Sequence, residues 1–378
     1  SSWFDAPGSN APGNQHFPFV DVLRGLSAGL VVFYHVLVLK GWPDYPASGA
    51  GGLLLRGWIG VDLFLVISGF VIGHTAMKAH MTGLPWRIQF ADRRLRRIAP
   101  LYLATSAVYL FLVNPDVLRH GWASVVQVAM HLGFVHNLWH ETHGAINPPS
   151  WSVGLEMQFY LLMALCTPWL TRAPLWKVAA VWAGLAIAWR YGAMLVLPAG
   201  KTELIIQFIY TTQLPGLLDE FVCGICIARL LRAQALTFTW RRFAGWLAAA
   251  VLLLALAWQA LTWLESPPSA NDVSSAFATA NLLLWRTLLC AGFAALLACA
   301  VMMPLAGSRF TGPFRYLGTI SYGIYLWHMP ILLTLLEKTH WRGAPLLMAT
   351  VGCTLVMASL SWHGFEKLWL AGKQPATH

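Results

Sequence analysis

The segment DVLRGLSAGLVVFYH, residues 21–35, places three ionisable side chains in an otherwise apolar stretch. A neutral imidazole such as His35 can take a proton from a hydroxyl group, and a guanidinium such as Arg24 can bind a carboxylate or a phosphate. Eleven helical steps of about 100° bring these two residues to within about 20° of one face, roughly 16 Å apart along the axis. Asp21, three residues before Arg24, can pair with it. The segment predicts one polar face with reactive groups at two depths.

Carboxylates on three other segments could act together with His35. They are Asp62, Glu156 and the adjacent pair Asp219 and Glu220. In the predicted topology each lies in the outer half of the membrane, at the depth of His35. A neutral histidine with a carboxylate beside it is a suitable general base for a hydroxyl group. The alternative for each carboxylate is an ordinary interfacial position, and for the histidine a hydrogen-bonded contact between helices.

A basic cluster follows the second apolar segment. The run RRLRR holds two overlapping Arg-x-x-Arg spacings, which are Arg93 with Arg96 and Arg94 with Arg97. Residues three apart on a helix project to one side and can hold a phosphate bidentately. The alternative is an anchor on anionic lipid, since basic loops also set membrane orientation. We favour a phosphate-bearing cytoplasmic ligand because the cluster lies next to the polar face.

The composition predicts that these residues are carried by membrane-spanning helices. Of the 378 residues, 57% are hydrophobic and 11% are charged, whereas soluble domains carry about 25% charged residues. The formal net charge of +10 is concentrated in short runs, which favours orientation of the chain in a membrane over nucleic-acid binding. The six cysteines fall in apolar segments, so neither a disulfide framework nor a metal site is predicted.

Eleven apolar segments, 214–232 among them, are candidates for helices of about 20 residues. The basic loops share one side of the membrane only if the segment 120–138, rich in His, Gln and Asn, does not span it. We predict an all-α polytopic membrane protein, a bundle of about ten transmembrane helices with both termini cytoplasmic and an outer-side excursion at 114–151 that re-enters or stays outside. The N-terminal segment 1–18 is predicted to be irregular, 19–367 to be a single membrane domain, and 368–378 to be a tail.

Five segments resemble, in the family's order, the landmarks of the acyltransferase-3 family of integral membrane acyltransferases. They are FVDVLRGLSAGLVVFYH, GVDLFLVISGFVIG, RRLRRIAPLY, SWSVGLEMQFYL and ISYGIYLWHMPI, and the similarity covers residues 17–367. The resemblance implies transfer of an acyl group, most often acetyl, from cytoplasmic acyl-CoA to a hydroxyl of an extracytoplasmic glycan or glycolipid. It implies a multi-pass protein of the bacterial cytoplasmic membrane whose partners are lipid and cell-envelope polysaccharide, without metal or nucleic acid. No oligomeric state is predicted.

The resemblance also implies roles for single residues. Arg24 and His35 match the family's basic residue and histidine, which are required for function, and the arginines at 93–97 match a motif associated with acyl-CoA. The family's Ser-Trp-Ser…Glu element matches Ser150, Trp151, Ser152 and Glu156. On the acceptor side we place Ser150, Trp151, Asp219 and Glu220. We expect the membrane enzyme alone, without the soluble hydrolase-like domain that some relatives append.

The late motif ISYGIYLWHMPI enters the membrane from the cytoplasmic side in the predicted topology. Its polar residues can therefore line the donor channel, with helix packing as the alternative; they are Ser321, Tyr322, Tyr325 and His328. In the predicted mechanism the arginine cluster binds the phosphates of acyl-CoA, helped by Arg24. His35, oriented by Glu156 or Asp62, deprotonates the acceptor hydroxyl.

Two alternatives stay open at this point. Direct transfer and a relay through an acyl-histidine both fit the sequence. A transporter or flippase for a glycolipid or an anionic metabolite would also need charges within the membrane. Many transporters are built from inverted or parallel repeats, and the sequence shows no internal repeat of that kind, which favours the enzyme.

Overall fold

A computed structural model of the chain describes residues 17–46, 50–81, 85–197, 204–265, 275–303 and 312–371. The irregular segment predicted at 1–18 and the tail predicted at 368–378 lie largely outside these residues. The described parts of the chain form fifteen α-helices and no strand. They are α1 Pro18–Val36, α2 Ala50–Leu55, α3 Ile59–His80, α4 Trp86–Val108, α5 Trp122–Leu132, α6 Trp151–Arg172, α7 Leu175–Val196, α8 Leu204–Thr211, α9 Leu218–Arg232, α10 Trp240–Glu265, α11 Ser275–Met302, α12 Gly312–Thr319, α13 Ser321–Lys338, α14 Gly343–Ser361 and α15 Lys367–Ala371.

Eight helical stretches of the described chain are long and apolar enough to cross a membrane. They are Pro18–Leu39, Ile59–His80, Trp86–Val113, Pro148–Arg172, Leu175–Val196, Trp240–Leu264, Leu283–Met302 and Gly343–Leu370. A ninth crossing is added if α12 and α13, which are bent by 68° at their junction, form one broken span. The prediction of an all-α polytopic membrane protein is confirmed.

The structure differs from the predicted ten spans at one segment. The stretch 214–232 was expected to span, but it divides into the 3₁₀ turn Leu214–Leu217 and α9, which has 15 residues. At a rise of 1.5 Å per residue α9 extends roughly 22 Å, less than the roughly 30 Å hydrocarbon core. The segment 120–138 does not form a spanning helix, as predicted, because α5 has only 11 residues.

The chain forms two compact units, so the single domain predicted over 19–367 contains both. The first unit comprises Ser1–Val61, Gly83–Ala164 and Gly307–His378, and the second comprises Asp62–Thr82 and Leu165–Ala306.

In the first unit, α1 packs against α12 and α13, and α13 also packs against α4 and α14. The contact between α1 and α12 is a close approach of backbones, since a Cβ atom at Gly318 would overlap the backbone of Asp21. Small residues allow helices to approach in this way in membranes. Farther along α1 and α13, Val36, Met329 and Leu332 belong to one buried apolar cluster. These contacts fix the register of α1 beside α13.

In the second unit, α10 packs against α11, and α9 packs against both α7 and α11. The helices α3 and α9 approach closely, because a Cβ atom at Gly224 would overlap the backbone of Val66 and of Gly69. Several large apolar side chains of α10, among them Val251 and Leu252, are exposed. An exposed apolar face of this kind on a spanning helix is the face expected against lipid tails.

Candidate active site

The imidazole of His35 has two acceptor groups against its Nδ1 atom. Nδ1 lies 3.0 Å from the carbonyl oxygen of Val31 and 3.1 Å from Nε2 of His328. A carbonyl oxygen can only accept, so the proton of the neutral His35 ring lies on Nδ1. Nε2 of His35 is therefore unprotonated and available as a base. The helical position of His35, four residues after Val31, produces this arrangement.

Tyr325 connects α13 to the segment 147–152. Its Oη donates to the carbonyl of Pro149 at 2.9 Å and lies 2.8 Å from Oγ of Ser152. Its ring centroid lies 5.9 Å from that of His328. The motif predicted to line the donor channel and the predicted Ser-Trp-Ser element are thus adjacent. Contacts run continuously from Ser152 through Tyr325 and His328 to His35.

Ser150 is fully buried and has no activating geometry. Its carbonyl oxygen lies 3.0 Å from Nε2 of His136, its Oγ lies 3.4 Å from the same nitrogen, and its Oγ donates to the carbonyl of Ile146 at 3.0 Å. The Nε2 atom of His136 carries the proton that is donated to the Ser150 carbonyl, so it cannot accept the hydroxyl proton. The neighbouring Trp151 stacks on His143 with ring centroids 5.5 Å apart.

Buried histidines accompany the excursion around α5. The rings of His131 and His136 stack with centroids 4.0 Å apart. Burial, the largest cause, lowers the pKa of His136 to about 3 and the pKa of His131 to about 4. Burial likewise lowers the pKa of His143 to about 4. These rings are therefore neutral at physiological pH and hold this segment together as stacked, hydrogen-bonded groups.

The four arginines of RRLRR divide between two sides of α4. Arg93 and Arg96 lie on the solvent-exposed face of α4, where the Arg96 side chain is 40% exposed and pairs with Asp92 at 2.8 Å. Arg94 and Arg97 are buried. The guanidinium of Arg94 lies over the ring of Tyr160, 5.8 Å from its centroid.

The guanidinium of Arg97 is held by aromatic rings and a carboxylate. It lies 5.2 Å from the ring centroid of Trp362 and 5.9 Å from that of Tyr322. Its Nη1 atom is 3.8 Å from a carboxylate oxygen of Glu366. Tyr322 is fixed in turn because its Oη donates to the carbonyl of Ile98 at 3.0 Å. Trp362 and Glu366 belong to a π-helical turn at the end of α14, a feature often found at functional sites.

Arg24 and Glu156 belong to the same charged group. Arg24 interacts electrostatically with Arg97, Asp21 and Glu156, and Arg94 interacts with Glu156 as well. The Oη atom of Tyr160 donates a 2.6 Å hydrogen bond to Glu156. The first unit therefore brings Arg24 and Arg94 to the Glu156 carboxylate, with the Arg97 guanidinium close enough to interact with both arginines. At the bend before α13, Ser321 donates to the carbonyl of Gly318 at 2.8 Å.

The other three predicted carboxylates lie in the second unit. Asp62 and Glu220 each place an oxygen 3.1 Å from Nη1 of Arg286. Asp219 pairs with Arg190 at 2.8 Å and accepts a hydrogen bond from Thr287, and all of these groups are largely buried. The Asp62 and Glu220 carboxylates and the Cys290 thiol are close enough to hold a metal ion. The guanidinium of Arg286 already lies against both carboxylates as their counter-ion.

The family model described as an acyltransferase domain matches residues 17–363. The chain belongs to the acyltransferase-3 family. Because this match covers most of the chain, the membrane helices and the arginine and histidine contacts above are those of an acyltransferase domain. The multi-pass chain is therefore a membrane-bound acyltransferase.

Curated relatives are similar to this acyltransferase over nearly its whole length. A protein of Komagataeibacter xylinus, BcsY, provisionally named a membrane-bound transacylase, is 29% identical over 90% of this chain and 79% of its own length. The peptidoglycan O-acetyltransferase OatA of Listeria monocytogenes is 25% identical over 93% of this chain. YrhL of Bacillus subtilis, provisionally named a peptidoglycan O-acetyltransferase, is 26% identical over 94%. The chain spans 55% of the length of OatA and of YrhL. No solved structure gives a significant match.

The acyltransferase structure gives His35 other partners than those expected. The sequence predicted Glu156 or Asp62 as its orienting group, whereas the structure places Val31 and His328 against its Nδ1 atom. Glu156 instead accepts a hydrogen bond from Tyr160. Asp62 lies in the second unit, where it contacts Arg286. The reason is that a buried carboxylate is stabilised most by a charged partner, and both carboxylates have guanidinium groups close by.

Sequence reasoning missed Arg190 and Arg286 of this acyltransferase. Both interrupt long apolar segments, which is itself a signal, since an arginine inside a membrane helix needs a buried counter-charge. Sequence reasoning also missed Glu366, which contacts Arg97 near the end of the last spanning stretch. A single acidic residue in the segment HGFEKLW gave no comparable signal, because Lys367 follows it directly at the end of an apolar stretch, where charged residues are common.

Proposed function

We propose that this acyltransferase moves an acetyl group from cytoplasmic acyl-CoA to a hydroxyl of a cell-envelope glycan or glycolipid, with His35 as the general base. The observation that carries the proposal is the contact between Nδ1 of His35 and the Val31 carbonyl oxygen, from which the proton is assigned to Nδ1. Because Nδ1 faces the Val31 carbonyl at 3.0 Å, Nε2 is the atom with a free lone pair. A general base needs this unprotonated nitrogen within reach of the hydroxyl proton.

The proposed reaction balances without an added reagent. Nε2 of His35 takes the proton of the acceptor hydroxyl while the hydroxyl oxygen attacks the thioester carbonyl carbon. The tetrahedral intermediate then breaks its carbon–sulfur bond, and the departing thiolate takes the proton back from the imidazolium. The products are an ester and free CoA. An acyl-histidine relay would use the same Nε2 lone pair, since that atom would carry the acetyl group between two such transfers.

The buried arginines support an anionic donor. Arg24, Arg94 and Arg97 bring three positive charges to one region of the first unit, and the phosphates of acyl-CoA are suitable ligands for guanidinium groups. We assign the buried pair on α4 to direct phosphate contact. The solvent-exposed pair, Arg93 and Arg96, contributes only a longer-range attraction for the same donor. This attraction is weak because solvent and salt screen exposed charges.

The similarity to relatives named as peptidoglycan O-acetyltransferases supports a glycan acceptor and the cytoplasmic membrane of a bacterium. In this proposal the hydroxyl enters from the side of the excursion at 114–151, where Ser150, Trp151 and Ser152 follow α5. Ser150 is proposed as a structural residue of that side and Ser152 as a contact of Tyr325. Asp219 and Glu220 are proposed to stabilise the second unit through Arg190 and Arg286.

The test uses sealed, inverted membrane vesicles that contain the protein and receive acetyl-CoA with a labelled acetyl group on the cytoplasmic face. Label is expected to accumulate in glycan, and His35→Ala is expected to reduce the rate by at least about 100-fold, the usual contribution of a general base. The matched control is His140→Ala, because His140 is exposed. Wild-type labelling in His35→Ala would exclude this mechanism. Transport of a glycolipid without labelling would favour the transporter instead.

The same vesicles separate direct transfer from a relay. Protein quenched at neutral pH in the absence of acceptor should carry no labelled acetyl group if transfer is direct. A labelled peptide that contains His35 would establish the relay.

A further inference from the structure

The side chain of His328 lies in the position that an orienting residue takes in a base-catalysed active site. It is fully buried on α13. Its Nε2 atom is 3.1 Å from Nδ1 of His35, and the two ring centroids are 5.0 Å apart. The contact is on the side of the His35 ring opposite to the proposed reactive nitrogen, Nε2. His328 can therefore act on the base without touching the reacting atoms.

The two acceptors at Nδ1 determine which nitrogen of His35 carries the proton. If the proton were on Nε2, the Nδ1 lone pair would face the lone pairs of the Val31 carbonyl. The unprotonated nitrogen would then be Nδ1, on the side of the ring away from the proposed substrate position. With the proton on Nδ1, it is shared between the Val31 carbonyl and Nε2 of His328. His328 itself then carries its proton on Nδ1. When His35 becomes an imidazolium during the reaction, the hydrogen bond to His328 becomes charge-assisted and stronger.

We propose that His328 is a positioning residue for His35: it accepts the Nδ1 proton, holds the ring in the tautomer whose Nε2 faces the acceptor hydroxyl, and stabilises the imidazolium as it forms. This inference rests on the proposed function of His35. It assigns His328 to the base and not to the donor channel, where the sequence placed it.

The surroundings of His328 keep its ring in place. One turn earlier on α13, Tyr325 donates a hydrogen bond to the carbonyl of Pro149. The carbonyl of Leu326 accepts a 3.1 Å hydrogen bond from Asn147. On the other side, Met329 and Leu332 pack in the apolar cluster that contains Val36, the residue after His35. Both imidazoles are thus supported by the same packed region, which is the condition for a precise second layer around a reactive group.

The experiment compares two amides at position 328, since a glutamine places its side-chain oxygen near the position of Nε2 and an asparagine places it near Nδ1. In purified protein with acetyl-CoA and muropeptide acceptor, His328→Gln should keep kcat within about threefold of wild type. His328→Asn should lower kcat by about 10- to 100-fold, the usual effect of losing such a positioning contact. The KM for acetyl-CoA should change by less than about twofold in both variants. Met329→Leu is the packing control.

A second readout does not depend on any acceptor. Diethyl pyrocarbonate carbethoxylates the unprotonated nitrogen of an imidazole, and mass spectrometry measures the rate for the peptide that contains His35. We expect a slower rate in His328→Asn than in His328→Gln, at equal Tm. Equal kcat and equal carbethoxylation rates in the two amides would overturn the inference. So would a raised KM with an unchanged kcat, because that result would return His328 to donor binding.

The proposed function fails independently of this inference. If His35→Ala retains full transfer, the general-base mechanism is wrong whatever the position-328 variants show. If His35→Ala is inactive while His328→Asn and His328→Gln behave alike, only the positioning role is wrong.

Discussion

Arg96 and Arg97 are neighbours in sequence, yet their guanidinium groups are in different environments. The Arg96 side chain is 40% exposed and pairs with Asp92, whereas the Arg97 side chain is 6% exposed and lies between Trp362 and Tyr322. Successive residues of a helix are rotated by about 100°, so the RRLRR run presents one pair of arginines to solvent and the other to the protein interior. The two pairs should therefore respond differently to substitution.

The first prediction concerns donor affinity. Arg97→Gln should raise the KM for acetyl-CoA by about 10- to 100-fold, because a hydrogen bond to a charged group contributes about 1.5–3 kcal/mol. Arg96→Gln should raise it by about twofold, and only at low ionic strength, because exposed charges are screened by salt. Steady-state kinetics at two salt concentrations measure both effects.

The Arg97 substitution also leaves Glu366 without its guanidinium partner. The double variant Arg97→Gln with Glu366→Gln removes that unpaired charge and serves as the control for folding. If Arg96→Gln and Arg97→Gln raise the KM equally, the assignment of the buried pair to phosphate contact is wrong.

The second prediction concerns the ion pairs of the second unit. Arg286→Met should lower the free energy of unfolding by about 3–5 kcal/mol, because it leaves the buried carboxylates of Asp62 and Glu220 without a counter-ion. The triple variant with Asp62→Asn and Glu220→Gln should recover most of this loss, since the carboxylates that lost their counter-ion are then neutral amides. Thermal unfolding in detergent compares the three proteins. A triple variant no more stable than Arg286→Met would show that the charges are not the cause.

The third prediction is a pH dependence of stability. The pKa of His136 is lowered to about 3 from its ordinary value of 6.5, so the unfolded chain takes up a proton below pH 6.5 while the folded chain does not. Stability should therefore fall as the pH is lowered from about 6.5 towards 4, by about 1.4 kcal/mol per pH unit for this histidine. His136→Gln keeps a donor for the Ser150 carbonyl, does not titrate, and should make the slope shallower by that amount.

His140→Gln is the matched control for the pH experiment, because His140 is exposed and belongs to the same segment. The slope of His136→Gln is compared with that of this variant as well as with that of the wild type. An unchanged slope in His136→Gln would mean that His136 is not kept neutral by burial.

The fourth prediction tests the contact between α1 and α12. Gly318→Ala should destabilise the protein by about 1–3 kcal/mol and lower the transfer rate, because its Cβ atom would overlap the backbone of Asp21 and displace α1. Gly352→Ala on α14 is the control, since a Cβ atom there meets open space. A combined measurement of Tm and transfer rate is sufficient. Equal behaviour of the two variants would exclude a close backbone contact at Gly318.

The sequence predicted the features that depend on local pattern. Apolar length indicated the membrane helices, and helical periodicity placed Arg24 and His35 on one face, because both properties are encoded within about 20 residues. The polar residues of 120–138, together with the positions of the basic loops, also excluded this segment as a span. The break between α12 and α13 was not predicted, since the sequence FRYLGTISYG has no proline at that point to indicate a bend.

Features that depend on packing between distant segments could not be derived. The sequence offers thirteen histidines, and nothing local identifies His328 as the one that contacts His35. The same limit applies to the carboxylates. Asp62, Asp219 and Glu220 were grouped with His35 from their predicted depth, but depth does not determine the neighbouring helix. Arg190 and Arg286 were visible as unusual intramembrane charges and would have been sound candidates for their partners.

The hydrogen bond between His35 and His328 joins positions that are 293 residues apart. During synthesis α1 is inserted into the bilayer long before α13 is translated. His35 therefore lies beside lipid or other helices until translation is nearly complete. A stalled or truncated product that ends before α13 would contain most of the arginines but an unassisted imidazole. On the proposed mechanism, the base and its positioning residue come together only after α13 has been translated and inserted.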